Sequence, residues 1–260
     1  MRTNMHEQRG SALRAEGVCV RYGGVKALTG VSLTVEPGQV YGVIGPNGAG
    51  KTTLFDAICG TAPASGRVWL GEREISRASA LKRARLGIRR TFQRQQAFGG
   101  LTVHDNLLVS LEWRGGTGGV LCDVAGVRLF PRRERGRRQR VADVMELCAL
   151  TALADTPAEN LPIGQLRLLE LARAIVDEPA VLLLDEPTSG LQTQDVSLLG
   201  SVIDDIKARH ATAALLIEHD VAFVMQHSDR VLALNLGSVL ADATPLEIQA
   251  HADVRSAYLG

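Results

Sequence analysis

Several features that define large classes of proteins are scarce or absent in this chain of 260 residues. Its four cysteines, Cys19, Cys59, Cys122 and Cys148, include no C-x-x-C pair, which favours reduced thiols over disulfides or a metal site. No window approaches the roughly 18 consecutive apolar residues of a membrane-spanning helix. The polar N-terminus also lacks the apolar core of a signal peptide. We therefore expect a cytosolic protein.

Charge and aromatic content argue against nucleic-acid binding. The formal net charge is +1 and aromatic residues make up 4% of the chain, so basic patches interleaved with aromatics are not found. An apolar content of 45% and a charged content of 22% are ordinary for a globular protein. The length suffices for one large α/β domain or two small ones.

The most informative segment is GPNGAGKTT, residues 45–53, which fills the phosphate-loop pattern G-x-x-x-x-G-K-[ST] between an apolar run and a helical one. Glycines allow the backbone N–H groups to point at phosphate oxygens, and the following helix offers the positive end of its dipole. Lys51 is expected to reach the β- and γ-phosphates and Thr52 to ligate Mg²⁺. The predicted phosphate-binding residues are Gly45, Pro46, Asn47, Gly48, Ala49, Gly50, Lys51, Thr52 and Thr53.

Apolar patterning predicts strands that alternate with helices. Strands are expected at 18–22, 31–35, 40–44, 66–70, 181–184, 213–217 and 230–234, and helices at 51–59, 101–113, 138–150, 166–177 and 194–209. Such alternation indicates a doubly wound, mostly parallel sheet, with the helix-rich middle of the chain inserted into it.

Polar side chains follow several of the predicted strands. Asp185 and Glu186 end the apolar run VLLLDEP, where Asp185 is expected to hold Mg²⁺ through water and Glu186 to polarise the attacking water. His219 ends the next such run, IEHD, near the expected γ-phosphate, and Gln93 in RTFQ is placed to touch Mg²⁺. Alone, a histidine in this position is more often structural.

In this order, the motifs resemble those of the ATP-binding-cassette (ABC) ATPases over roughly residues 15–260. The resemblance implies that Tyr22 stacks on adenine, and that Lys51, Gln93, Glu186 and His219 serve catalysis. It also identifies LPIGQ as the signature, of which Leu161, Gly164 and Gln165 would face the γ-phosphate of ATP held by a second subunit.

This chain departs from the family pattern at two places. Pro162 replaces the hydroxyl residue of the commoner L-S-G-G-Q signature and removes a side-chain donor and an N–H. Gln192 stands where the family usually has an acidic residue or Asn. Both departures concern the contact across the dimer.

The resemblance also implies the organisation of the chain. We expect a tail at 1–14 and an ABC ATPase domain at 15–258, with a helical subdomain at about 92–160 and a C-terminal extension at about 235–260. The expected fold is a P-loop α/β domain with a mostly parallel core sheet, an antiparallel β part and the inserted helical subdomain.

Three segments are similar to parts of the ATPase subunits of branched-chain amino acid importers. They are RYGGVKAL at 21–28, RTFQRQQAFGGLTVHDNLLVS at 90–110 and DVRSAYLG at 253–260. Relatives that import urea, amides or other carboxylates share much of this pattern, so that alternative stays open.

The resemblance also implies cofactors and partners. The implied cofactors are ATP and Mg²⁺. The implied partners are membrane-spanning permease subunits, a second ATPase subunit (identical or paralogous) in a head-to-tail dimer and, indirectly, a solute-binding protein. The expected place is peripheral, on the cytoplasmic face of the plasma membrane.

Two other functions compete with transport. An ABC ATPase acting on DNA or ribosomes needs a long coiled coil or two cassettes in one chain, and this chain has neither pattern. A non-hydrolysing regulatory subunit fits Pro162 and Gln192 but not the intact Lys51 and Glu186.

The segment 128–140 contains seven arginines, which fit either contact with anionic lipid or a solvated insert.

Overall fold

The computed structural model describes residues 12–91, 96–112, 131–209 and 211–259. The chain divides into two compact units. The first unit comprises Met1–Gln93, Glu178–Ser189 and Ile203–Gly260, and the second comprises Arg94–Asp177 and Gly190–Val202. The predicted helical subdomain, about 92–160, overlaps the second unit, and its exact bounds stay a prediction.

Two β-sheets build the first unit. A four-stranded antiparallel sheet has the order β2-β1-β4-β5, and a six-stranded sheet has the order β10-β9-β3-β8-β7-β6. In the six-stranded sheet only the β10–β9 pair is antiparallel. The strands are β1 Leu13–Tyr22, β2 Val25–Val35, β3 Val40–Ile44, β4 Ala64–Leu70, β5 Arg73–Glu74, β6 Ile88–Arg90, β7 Val181–Asp185, β8 Ala213–Ile217, β9 Arg230–Asn235 and β10 Ser238–Ala243.

Helices occur in both units. The helices are α1 Lys51–Cys59, α2 Ala80–Arg85, α3 Val103–Glu112, α4 Pro131–Leu147, α5 Ile163–Ile175, α6 Thr193–Arg209, α7 Val221–His227, α8 Pro245–Ala250 and the short α9 Ala252–Val254. In the described residues, no helix combines the length and the apolar character needed to cross a membrane.

The parallel core positions the functional loops. Every residue of β3, β7 and β8 is buried, as expected of apolar runs covered on both faces. The strand β8 pairs in parallel with both neighbours, and Ile217 lies opposite Val43 on one side and Asp185 on the other. The loops after these three strands therefore leave from one edge of the sheet. The predicted fold class, a mostly parallel core with an antiparallel part, is confirmed.

In the second unit, α3, α4 and α5 pack against one another. A buried amide organises the chain that leads into α3, because the Asn106 side chain accepts from the Phe98 N–H and donates to the Phe98, Leu101 and Thr102 carbonyls. The helix α5 begins at Ile163, earlier than the predicted Leu166. Pro162 precedes it as N-cap, since proline loses nothing where a helix N–H has no partner.

A buried arginine fixes the helix that follows the phosphate loop. Arg83 on α2 is 4% exposed, and its Nη1 donates to the carbonyls of Ala57 (2.7 Å) and Ile58 (2.8 Å) at the end of α1. Its Nη2 donates to the Ser76 carbonyl at 2.8 Å. A cation at a helix C-terminus also interacts favourably with the helix dipole. Arg83 thus holds the far end of α1 in place.

We expect Arg83→Met to lower the free energy of unfolding by about 2–4 kcal/mol, because several buried carbonyls lose a charged donor. Urea denaturation followed by circular dichroism would measure the change. Arg85→Met on the exposed face of the same helix is the matched control, with an expected change within about 0.5 kcal/mol. Equal stability of the two variants would contradict the role of Arg83.

Candidate functional site: the phosphate-loop cleft

The loop between β3 and α1 forms a cradle of backbone N–H groups. Gly50 has φ 102, and a Cβ at this position would lie 2.7 Å from the Ala27 carbonyl oxygen, so only glycine fits. It is the N-cap of α1, and no side chain caps that helix. The first N–H groups of α1 are therefore available to a ligand, and the helix dipole favours an anion there.

Beside this loop lies a cleft of about 360 Å³ within the first unit. Seven of the nine predicted phosphate-binding residues line it, together with Glu186 and His219, so residues far apart in sequence share one site. The lining residues are Val25, Lys26, Ala27, Asn47, Gly48, Ala49, Gly50, Lys51, Thr52, Thr53, Glu186, His219 and Leu236.

Lys51 is folded back on the phosphate loop. Its side chain is buried, and Nζ donates to the carbonyls of Gly45 (2.6 Å) and Pro46 (3.2 Å). Burial lowers the pKa of the Lys51 ammonium, while the charges of Glu186 and Asp185 oppose that shift. The hydrogen-bond acceptors of the ammonium are thus two neutral carbonyls, which it can exchange for the oxygens of a phosphate.

Asp185 ends β7 as a buried carboxylate with one oxygen committed. Its Oδ2 lies 2.6 Å from Arg90 Nη2, whereas the buried Oδ1 has no hydrogen-bond partner among the described residues. Burial raises the pKa of the Asp185 carboxyl, and the hydrogen bond and charge of Arg90 oppose that rise. A buried oxygen without a donor is the kind of group that a hydrated cation would satisfy.

The predicted general base and the predicted histidine are in direct contact. His219 Nε2 lies 2.9 Å from Glu186 Oε1. Glu186 has φ 50, which is unusual for a residue with a side chain, and its N–H donates to the Ile217 carbonyl at 2.9 Å. Strained backbone of this kind is common at functional sites. It turns the Glu186 side chain out of the strand direction and into the cleft.

Glu218 is a buried residue beside the cleft for which the sequence made no prediction. It is 2% exposed, and its Oε1 accepts from both the N–H and the hydroxyl of Thr188 at 2.6 Å. Its Oε2 accepts from the His219 N–H at 3.0 Å. Glu218 therefore joins the turn after Glu186 to the end of β8. A carboxylate directly before the histidine, at the tip of a buried strand, was the available signal.

Arg90 and Asp56 were missed as well. The Arg90 guanidinium joins Asp185 to Asp56 of α1 (Nη1–Oδ1, 2.5 Å). Sequence spacing gives no signal for this pairing, since 34 residues separate Asp56 from Arg90 and 95 separate Arg90 from Asp185.

Tyr22 stands apart from this cluster, and Gln93 has no described position. Tyr22 ends β1, is 48% exposed and is not among the residues that line the cleft, although its cross-strand neighbour Val25 is. Gln93 lies outside the described residues. The roles of both stay predictions.

The signature lies in the second unit, at the start of α5. Leu161 is buried, Ile163 is exposed and Gln165 is half-buried. Gly164 has no room for a side chain, because a Cβ there would lie 2.2 Å from Asp195 Oδ2. The N-cap Pro162 makes no side-chain hydrogen bond, so no side chain caps this helix N-terminus either.

For Glu218→Ala, we expect the amides of Thr188 and His219 to exchange hydrogen about 10- to 100-fold faster, because each loses a buried carboxylate acceptor. Hydrogen-exchange NMR or mass spectrometry would report this locally. Glu72→Ala, in the exposed turn between β4 and β5, is the control and leaves both amides unchanged. Unaltered protection in Glu218→Ala would contradict the role given to this carboxylate.

Comparison with known proteins assigns the chain to a family. The sequence model of the ABC transporter family matches residues 28–189, and the model of branched-chain amino acid ATP-binding cassette transporters matches residues 238–260. The first match spans the phosphate loop, Asp185 and Glu186.

Whole-chain relatives agree with the two matches. The high-affinity branched-chain amino acid transport ATP-binding protein BraF of Pseudomonas aeruginosa is 40% identical, over 95% of this chain and 97% of its own. The corresponding protein LivG of Escherichia coli K12 is 37% identical over the same shares. In structure, the ADP conformation of the ATP-binding cassette MJ1267 is similar with a TM-score of 0.81 and 30% identity, over 96% of this chain and 99% of that one. The chain belongs to the ATP-binding subunits of ABC transporters, in the branched-chain amino acid branch of that family.

Proposed function

We propose that this chain hydrolyses MgATP in the phosphate-loop cleft and thereby drives import of branched-chain amino acids through separate membrane-spanning subunits. The observation that carries the proposal is the convergence of an anion cradle, Lys51 and Glu186 in one cleft. Asp185 does not line that cleft but directly precedes Glu186 at the end of β7. The names of BraF and LivG support the choice of branched-chain amino acids as cargo.

The cradle and Lys51 would hold the triphosphate. On nucleotide binding, the Lys51 ammonium exchanges the Gly45 and Pro46 carbonyls for charged phosphate oxygens, which are stronger acceptors. The uncapped N–H groups of α1 face the same anion. Tyr22 is proposed to stack on the adenine, as the family resemblance implies.

The residues at the end of β7 suit a Mg²⁺ ion that is bound together with the nucleotide phosphates. In the described residues there is no cluster of three or more His, Cys, Asp or Glu side chains that would hold a metal alone. Mg²⁺ suits such a site, because it keeps several waters and takes few protein ligands beside phosphate oxygens. The free Oδ1 of Asp185 and the hydroxyl of Thr52, with Gln93, are the proposed holders. When bound, the ion neutralises charge on the β- and γ-phosphates.

Hydrolysis would then depend on Glu186 and His219. Glu186 Oε1 can accept a proton from the attacking water, and His219 holds that carboxylate in position by the 2.9 Å contact. Glu218 accepts from the N–H groups of Thr188 and His219, and the Glu186 N–H donates to the Ile217 carbonyl, so the backbone around the pair is preorganised.

A second ATPase chain is proposed to complete the site. The N-terminus of α5 has neither a capping side chain nor, in Pro162, an N–H at its cap. The backbone N–H groups of Gly164 and Gln165 are the proposed donors to an anion on another chain, and Leu161 of the same signature precedes them. ATP would thus join two chains head to tail, each cleft facing the signature of the other.

The link to the membrane subunits is proposed to lie at residues 93–101. Within the second unit, α5 contacts the described part of this segment, because Glu170 accepts from the Gln96 N–H (2.7 Å) and Arg173 donates to the Gln96 carbonyl (2.5 Å). The Arg173 guanidinium also lies over the ring of Phe98, which is 48% exposed. The signature helix is thus joined directly to Gln96 and Phe98 of this segment. Association with the permease on the cytoplasmic face would make the protein peripheral, with the solute-binding protein contacting the permease alone.

We expect Glu186→Gln to bind ATP with near-normal affinity but to release phosphate about 10²- to 10⁴-fold more slowly, because the amide cannot take a proton. Calorimetry and a phosphate-release assay with the membrane subunits present would separate the two effects. Glu178→Gln, on the loop before β7, is the control with normal turnover. Near-normal phosphate release by Glu186→Gln would refute the assignment of the base.

The transport proposal is tested by uptake of radiolabelled leucine, isoleucine and valine in cells that lack their own ATPase subunit of this branch and express this chain with its permease. Wild type restores uptake, whereas Lys51→Ala lowers it to background, because loss of the ammonium weakens phosphate binding about 30- to 100-fold. Restored uptake of urea or amides, without branched-chain amino acids, would instead support the other cargo of this branch. Failure with every solute would contradict the transport function.

A further inference from the structure

A buried ion bridge joins three elements of the first unit. The Arg90 guanidinium at the end of β6 contacts Asp56 Oδ1 on α1 at 2.5 Å and Asp185 Oδ2 at the end of β7 at 2.6 Å. The side chains of Arg90 and Asp185 are 9% and 3% exposed, and that of Asp56 is 32% exposed. The guanidinium also lies 5.6 Å from the ring centroid of Phe55.

Burial of this bridge costs desolvation free energy, which its contribution to stability does not readily explain. Withdrawing charges from water costs several kcal/mol per ion, and apolar side chains of similar size often serve stability as well or better. One arginine between two carboxylates also leaves a net negative charge. A bridge of this kind is weak grounds for stability and calls for another explanation.

The hydrogen-bond pattern supplies that explanation. Arg90 occupies Oδ2 of Asp185, while Oδ1 has no partner among the described residues. The Asp185 N–H donates to the Thr91 hydroxyl at 3.2 Å, and the Thr91 N–H donates to the Leu183 carbonyl at 2.9 Å. Both ends of Asp185 are thus fixed by consecutive residues, Arg90 and Thr91, directly before the segment that carries Gln93.

We propose that Arg90 is a positioning residue for the metal: it holds one oxygen of Asp185 so that the other faces the hydration shell of Mg²⁺, and Asp56 anchors Arg90 in turn. This inference rests on the proposed MgATP site. Groups that orient a metal-binding carboxylate commonly contribute 10- to 100-fold to metal affinity.

The test compares ATP affinity in Mg²⁺ and in EDTA, measured by calorimetry on the full chain. For Arg90→Met we expect the gain in affinity from Mg²⁺ to fall at least about 10-fold, with metal-free affinity within about 2-fold of wild type, since the cradle and Lys51 are intact. Asp56→Asn, which weakens the anchor but keeps a hydrogen-bond acceptor, should give an intermediate loss.

Arg89→Met is the matched control. Arg89 lies on the same strand, and its Nη1 donates to the Ala84 and Ile88 carbonyls. It should keep the full Mg²⁺ effect, so that a loss confined to Arg90 and Asp56 separates positioning from damage to β6.

Arg90→Lys decides the matter if Arg90→Met fails to fold. Lysine keeps the charge but has no planar fork to hold two carboxylates at once, so a folded Arg90→Lys should lose part of the Mg²⁺ effect. A full Mg²⁺ effect in folded Arg90→Lys or Arg90→Met would overturn the inference while leaving the proposed function standing. Wild-type protein without Mg²⁺-dependent ATP binding would overturn the proposed function itself, and the inference with it.

Discussion

The common edge of three buried parallel strands is the constraint on which the site depends. Because β3, β8 and β7 lie side by side in register, the residues after Ile44, Ile217 and Asp185 leave the sheet at the same end. These strands are almost entirely apolar and carry no charged side chain before Asp185, so the charged groups collect where the strands stop. A phosphate cradle, a carboxylate pair and a histidine meet there without any local sequence relation.

Charge balance explains much of the geometry at this edge. Lys51 and Asp185 are both buried, and a nucleotide complex could satisfy both. The Lys51 ammonium would exchange the Gly45 carbonyl for a phosphate oxygen, and the Oδ1 of Asp185, which has no partner among the described residues, would face the metal. Arg90 and Glu218 are permanent partners, which fix the carboxylate and the loop around the reacting groups. The site is thus prepared for an anion and a cation together.

Individual residues show how far sequence reasoning reached. The helix α1 and the strand β8 have the predicted bounds, because a phosphate-loop motif and a continuous apolar run each define their own limits. The strand β1 begins at Leu13 rather than the predicted Val18, since its bulged pairing with β2 and β4 interrupts the apolar alternation. The clustering of Glu186 with Lys51 was expected from the family order; the contacts of Glu218 and Arg90 were not.

The sequence by itself determined the family, the phosphate loop and the residue types available for phosphate, metal and proton transfer, because these depend on short segments with fixed local geometry. Three features depend on packing in three dimensions: the carboxylate oxygen of Asp185 that has no partner among the described residues, the positive φ that turns Glu186 into the cleft, and the bridge from Asp56 through Arg90 to Asp185. Such pairings depend on where strands and helices distant in the chain end against one another. Their partners are set by packing in three dimensions, which no spacing along the chain records.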